Sequence, residues 1–197
     1  LSSQLKASLE FKDAIHEVEY ILWALPTQVI RKVLTSQTAL IPLDITHISV
    51  SKGIEVSTSK RISQIFEEFG VKKFVYLAGP SHAEEVSRKM ATTICSISSN
   101  LVAAQNVQNL FNTDYLRIYT NQDLIGAELA GAFKNVVAIA AGVCDGYGLG
   151  DNAKAALITR SLVELNRLAQ TFGAEKDTPF GLTGIGDLIV TCCSLHS

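Results

Sequence analysis

The sequence predicts an α/β domain followed by an all-helical one. Three observations carry this. Short apolar, β-rich runs alternate with amphipathic stretches over roughly the first 120 residues. Near residue 121 the texture changes to a long run of Ala, Gly, Val and Ile, and a second helical pattern follows a glycine-rich turn.

Taken in order, residues 19–25, 45–50 and 74–78 read as buried strands, bounded by turn residues and too short for helices. Residues 27–40 and 58–69 read as the helices between them, and this alternation predicts parallel pairing through right-handed crossovers. Two later strand candidates, 92–97 and 116–119, flank a helix at 101–111 and extend the sheet in a direction the pattern leaves open. The stretch 121–141 is apolar nearly all round, as a buried helix is. Residues 151–172 form another helix, with Asp151 as its N-cap and Gly173 just past its end. The domain boundary falls near residue 120, giving units 1–120 and 121–197.

Composition narrows the function classes. With 47% hydrophobic and 18% charged residues, disorder is excluded. A net charge of −2 offers no broad attraction to polyanions, so nucleic acid and anionic membrane surfaces are poor partners and an anionic ligand needs local cations. The apolar stretch at 136–143 is short for a bilayer span, and the N-terminal residues lack a signal-peptide pattern. Cys95, Cys144, Cys192 and Cys193 show no CxxC spacing; they fit a reducing cytoplasm and no metal. The start at Leu1 and the polar ending Ser194 to Ser197 suggest a fragment.

In open α/β sheets ligands sit beyond the carboxyl ends of the strands. Three such ends stand out: Pro26-Thr27, Ser51-Lys52-Gly53 and Gly79-Pro80-Ser81. Lys52 reads either as a solvated turn lysine or as an ammonium held over the crevice to bind an anion. Ser81-His82-Ala83-Glu84 matches a capping box, and the same helix start can contact a phosphorylated ligand. Lys134 and Asn135 interrupt an apolar helix. Lys134 therefore snorkels, pairs, or loses its proton readily and serves as a general base. Asp187, after Gly184-Ile185-Gly186, reads as an N-cap or a site carboxylate. The glycines of 146–150 follow a helix rather than a strand, and so fail the context of a dinucleotide fingerprint.

Five blocks together resemble glycerol-3-phosphate dehydrogenase of the NAD(P)-dependent bacterial type: Ser51-Lys52-Gly53, Gly79-Pro80-Ser81-His82-Ala83-Glu84-Glu85, Gly126-Ala127-Glu128-Leu129 through Phe133-Lys134-Asn135-Val136, Cys144-Asp145-Gly146 through Ala156, and Gly184 to Leu188 with Thr191-Cys192. The resemblance implies a partial Rossmann-like nucleotide-binding domain followed by an incomplete helical substrate domain. It implies reversible reduction of dihydroxyacetone phosphate to sn-glycerol 3-phosphate by NADH or NADPH, supplying the backbone of glycerophospholipids. Lys134 would be the catalytic proton carrier. Lys52 would bridge cofactor and substrate; Gly79, Ser81, Asn135, Asp187, Thr191 and Ser197 would contact substrate, and Pro26 and Ala83 the cofactor. A homodimer is a possible assembly.

Two departures follow from the same comparison. The family's opening glycine fingerprint has no counterpart before Leu1, and its arginine-asparagine pair would come after Ser197, so this segment alone is expected to be inactive. His82 stands where an aromatic or small residue is usual. The alternatives are a β-hydroxyacid or 6-phosphogluconate dehydrogenase, which carries a similar lysine-asparagine helix, and a non-catalytic helical module or truncated homologue.

Overall fold

The computed structural model describes residues 4–193. Five strands, β1 (Tyr20–Trp23), β2 (Thr46–Ser49), β3 (Lys73–Ala78), β4 (Thr92–Ile97) and β5 (Leu116–Asn121), form one sheet in that order. The first three are parallel, β4 runs antiparallel to β3, and β5 is parallel to β4. Helix α1 (Phe11–Ala14) precedes the sheet, and α2 (Thr27–Gln37), α3 (Ile62–Glu68), α4 (Ala83–Ser87) and α5 (Leu101–Phe111) connect its strands. From Leu124 the regular elements through Cys193 are helical: α6 (Leu124–Gly146), α7 (Gly150–Thr171), a 3-10 turn (Thr178–Phe180), a π turn (Leu182–Gly186) and α8 (Asp187–Cys193).

Alternation along β3 shows how the layers are built. Phe74, Tyr76 and Ala78 point to one face, where they join Trp23, Ile30, Leu34, Ile65, Phe66 and Ala127. Val75 and Leu77 point to the other, against Ala103 and Val107 of α5. The first face thus receives α2, α3 and the beginning of α6. The second is covered by α5, and Leu22 of β1 stays half exposed there.

The structure corrects several local expectations. The helix expected from residue 58 begins at Ile62, because residues 54–61 close a turn: Glu55 N–H donates to Lys60 O, Ser59 N–H to Glu55 O, and Ile54 bridges Arg61. The buried Glu55 carboxylate fixes that turn by accepting from Arg31 and Thr58. Asp151 is not an N-cap: α7 starts one residue earlier, and Asp151 sits exposed in its first turn. Gly173 does follow α7 with φ +85, the left-handed geometry that glycine adopts without a Cβ clash. Helix α6 is capped by Asp123, whose two carboxylate oxygens accept from Gly126 N–H and Glu175 N–H. It is not buried all round, since Val136 and Ile139 are 65% and 72% exposed. The whole helix is long and apolar enough to cross a membrane by length and composition alone. However, half of its most apolar stretch is buried, and Glu128 and Lys134 are held in ion pairs, the arrangement of a core helix.

His47 is fully buried between Trp23 and Phe66, accepting at Nδ1 from Trp23 Nε1–H while Nε2 faces Pro42 O. Burial holds its pKa below the ordinary 6.5, against the opposing hydrogen bond to Pro42. The sign follows: the unfolded chain binds this proton first, so stability is retained above about pH 6.5 and lost below it, by up to about 1.4 kcal/mol per pH unit. Chemical denaturation from pH 8 to 4 should show this loss, and His47→Leu should flatten the acid limb even though it lowers stability overall.

Candidate active site

The site begins with two loops stitched together. Ser51 Oγ–H donates to Leu25 O at 2.5 Å, and Thr27 Oγ1–H donates to Lys52 O at 2.8 Å. These bonds fasten the end of β2 to the start of α2, and they fix the backbone from which Lys52 rises. Gly53, at φ +124, turns the chain away. Thr27 stands out in the sequence only as part of the strand end Pro26-Thr27, which by itself gives its hydroxyl no role.

Lys52 reaches Asp187. Its Nζ lies 2.5 Å from Asp187 Oδ2, and Lys134 Nζ lies 2.7 Å from Asp187 Oδ1. One carboxylate, 2% exposed, therefore bridges two ammonium groups from separate elements. Lys134 also donates to Thr191 Oγ1 at 2.8 Å, and that hydroxyl in turn donates to Asp187 O one helical turn back. The π turn Leu182–Gly186 brings Asp187 to this point. It packs too closely for side chains at Gly184, where a Cβ would run into the Pro179 carbonyl.

Burial, and next the charge of Lys52, push the Lys134 pKa down to about 8, while Asp187 pulls the other way. An amine poised there exchanges a proton near neutral pH, which suits acid-base work. The N-cap alternative for Asp187 is thus displaced by a double ion pair, and the snorkelling alternative for Lys134 by a buried one.

A second anchor holds α6 against the sheet domain. Glu128, nearly fully buried, accepts from Arg61 Nη1–H, Ser63 Oγ–H and Ser63 N–H. Burial raises its pKa, opposed by the Ser63 and Arg61 contacts. Six residues on, Lys134 is delivered from the same helix.

The remaining sequence candidates are dispersed around the cluster. Gly79 takes φ +146 with a would-be Cβ 2.9 Å from Ile94 Cα, so the strand end passes β4 too closely for a side chain. The capping box at Ser81 does not form: His82 occupies the cap position without a side-chain cap bond, and Ser81 Oγ–H donates back to Gly79 O. Ser81 and Ala83 instead line a cavity of about 290 Å³ with Lys52, Leu22, Val50 and Leu77. Pro26 is exposed at the start of α2, and Asn135 is exposed beside Lys134. Ser197 lies outside the described residues.

A family model described as NAD-dependent glycerol-3-phosphate dehydrogenase N-terminus matches residues 1–104, and its C-terminus counterpart matches residues 123–197. A relative from Bacillus cereus (strain B4264), called glycerol-3-phosphate dehydrogenase [NAD(P)+], is 49% identical over 201 residues, covering 100% of this chain and 59% of its own length. One of the same description from Clostridium botulinum is 47% identical, covering 99% and 59%. The crystal structure of glycerol-3-phosphate dehydrogenase from Coxiella burnetii superposes with a TM-score of 0.95 at 34% identity, over 100% of this chain and 60% of that one. The chain thus spans about three fifths of the length of these relatives.

Proposed function

Because this chain belongs to the NAD-dependent glycerol-3-phosphate dehydrogenase family, we propose that the protein carrying it interconverts dihydroxyacetone phosphate and sn-glycerol 3-phosphate with NADH or NADPH. The observation that supports this best is the Asp187 carboxylate holding Lys134 and Lys52 together at the carboxyl ends of the strands.

The residues fit a nicotinamide. The cavity beside Lys52 has a largely apolar lining that includes Leu22, Val50, Leu77 and Ile94, suited to a flat ring, and Ser81 and Ala83 also line it. When bound, the nicotinamide supplies or takes the hydride. Lys134 carries the proton: as neutral amine it takes the carbinol proton during oxidation, and as ammonium it returns a proton to the oxygen during reduction. Lys52 contributes a fixed positive charge, which favours an anionic substrate and disfavours the protonated form of Lys134. Thr191 and Asp187 orient the amine. Gly79, Ser81, Asn135 and Ser197 complete the substrate contacts and Pro26 the cofactor contacts in this reading, with residues 1–120 as nucleotide-binding unit and 121–197 as substrate unit. A cytoplasmic role in supplying the glycerophospholipid backbone, by a homodimer, belongs to the same proposal.

The complete protein should oxidise NADH or NADPH with dihydroxyacetone phosphate, and saturating substrate should protect Lys134 from amine-directed modification. Turnover of a β-hydroxyacid or 6-phosphogluconate instead, or undiminished Lys134 reactivity under saturation, would overturn the assignment.

A further inference from the structure

We propose that Gly131 and Tyr76 form a contact that sets the height of α6 above β3 and thereby positions Lys134. The face of α6 turned toward the sheet carries Ala127, Gly131 and Lys134, spaced four and three residues apart. Ala127 is fully buried in the core on that side of the sheet, and Tyr76 of β3 belongs to the same cluster with no exposed surface. Gly131 meets the tip of that tyrosine. A Cβ built on Gly131 would stand 2.5 Å from the phenol oxygen, but 3.7 Å from the ring carbon that bears it and 3.7 Å from Lys52 Cγ. Only the hydroxyl stands in the way; the other neighbours would be ordinary contacts.

That hydroxyl cannot easily yield. The ring is packed on every side, and its oxygen is buried with no hydrogen-bond partner among the described residues. Burial first, and then the charges of Glu128 and Asp187, push its pKa far above the usual phenol range, so it stays neutral. Such an atom adds no hydrogen bond to offset its burial, yet it fills the space that a helix residue other than glycine would need. Glu128 holds α6 laterally through Arg61 and Ser63, and the Gly131–Tyr76 contact limits how closely the helix approaches. One turn further on, Lys134 meets Asp187 and Thr191 of α8, with Lys52 from the loop after β2 sharing the Asp187 carboxylate and Cys192 of α8 within range of its charge. A lift of the helix by a fraction of an ångström at Gly131 is passed to the amine.

Gly131 and Tyr76 are positioning residues. The inference rests on Lys134 being the reacting amine, and the test reads that amine directly, so its failure is separable from failure of the proposed reaction. Competitive amine labelling with mass spectrometry across pH 6 to 11 gives the titration of Lys134 in Gly131→Ala, Tyr76→Phe and the double variant, and thermal melts are recorded in parallel. In Gly131→Ala, Lys134 should move away from burial and from Lys52, so that its reactivity at pH 8 falls by about three- to fivefold, a shift of up to about one pH unit. Tyr76→Phe alone should leave the titration unchanged. The double variant should return it to within about twofold of the parent, because removal of the hydroxyl admits the methyl.

A helix glycine with free space around it would give the opposite melting result, since alanine there ordinarily raises Tm. A raised Tm with an unchanged Lys134 titration in Gly131→Ala overturns the proposal. If Gly131→Ala does not fold, the double variant decides: folding with a parent-like titration supports the contact, and failure to fold or to restore the titration defeats it.

Discussion

Lys134→Ala in the complete protein is expected to lower turnover by about 10²–10⁴-fold, the usual loss when a positioned acid or base is removed, while cofactor affinity changes little. The amine stands at the Asp187 end of the site, whereas the cavity proposed for the nicotinamide is lined by residues that include Lys52, Leu22, Val50 and Leu77. The pH dependence sharpens the test. With the Lys134 pKa at about 8, oxidation should accelerate as pH rises through that value and frees the amine, and reduction should slow over the same interval. The variant should lose both limbs. Turnover within a few fold of the parent would make Lys134 a packing lysine.

Asp187→Asn should be the most destabilising single change in the site. It removes the only carboxylate bonded to Lys134 and Lys52 among the described residues, leaving one ammonium buried and another partly buried without a counter-charge. Breaking a buried ion pair from one side costs about 3–5 kcal/mol. The sign of the pH effect is fixed by Lys134. Its folded pKa lies below the ordinary 10.5, so its charged form is a liability that Asp187 relieves, and the variant should lower that pKa further. The variant's deficit should therefore be full below its own, lowered Lys134 pKa, shrink as pH rises from there, and be gone once pH has passed about 8. Chemical denaturation at pH 6, 8 and 10 measures it. A deficit under about 1 kcal/mol at pH 6, the size of an exposed pair, would show that water screens the cluster.

The five strands and most of the helices were legible because each is a local pattern: β-rich runs a few residues long, separated by stretches with helical spacing. The strand-end rule pointed to Lys52 and Gly79 for the same local reason. What the residue patterns by themselves could not show was pairing at a distance, which only the family resemblance implied. Asp187 lies 135 residues from Lys52 and 53 from Lys134, and an aspartate after glycines looks the same whether it caps a helix or bridges two amines. Tyr76 read as one more apolar strand residue, and Gly131 as one more small residue in a helix. The false capping box at Ser81 has a nearby cause: the tight turn at Gly79 leaves the serine hydroxyl facing its own loop carbonyl, so the pattern was present without the geometry. The direction of β4 depended on whether residues 79–91 could carry the chain back along the sheet. A segment containing only the five-residue α4 does not, and the chain returns antiparallel.

That reversal decides where along α6 the proposed reacting amine must be. Because β4 and β5 run against β1 to β3, β5 ends at Asn121 on the rim opposite Lys52, and α6 begins there, its first residues beside Phe74 at the start of β3. The helix then has to travel the full depth of the sheet before any of its side chains can reach the other rim. A six-residue strand is about 17–20 Å long, and ten residues of helix advance about 15 Å. Lys134 comes ten residues after Leu124, near the far end of that crossing. A one-residue deletion between Asp123 and Lys134 would turn the amine by about 100° around the helix as well as shortening its reach. The count of residues in this stretch is therefore as much a part of the site as the lysine itself.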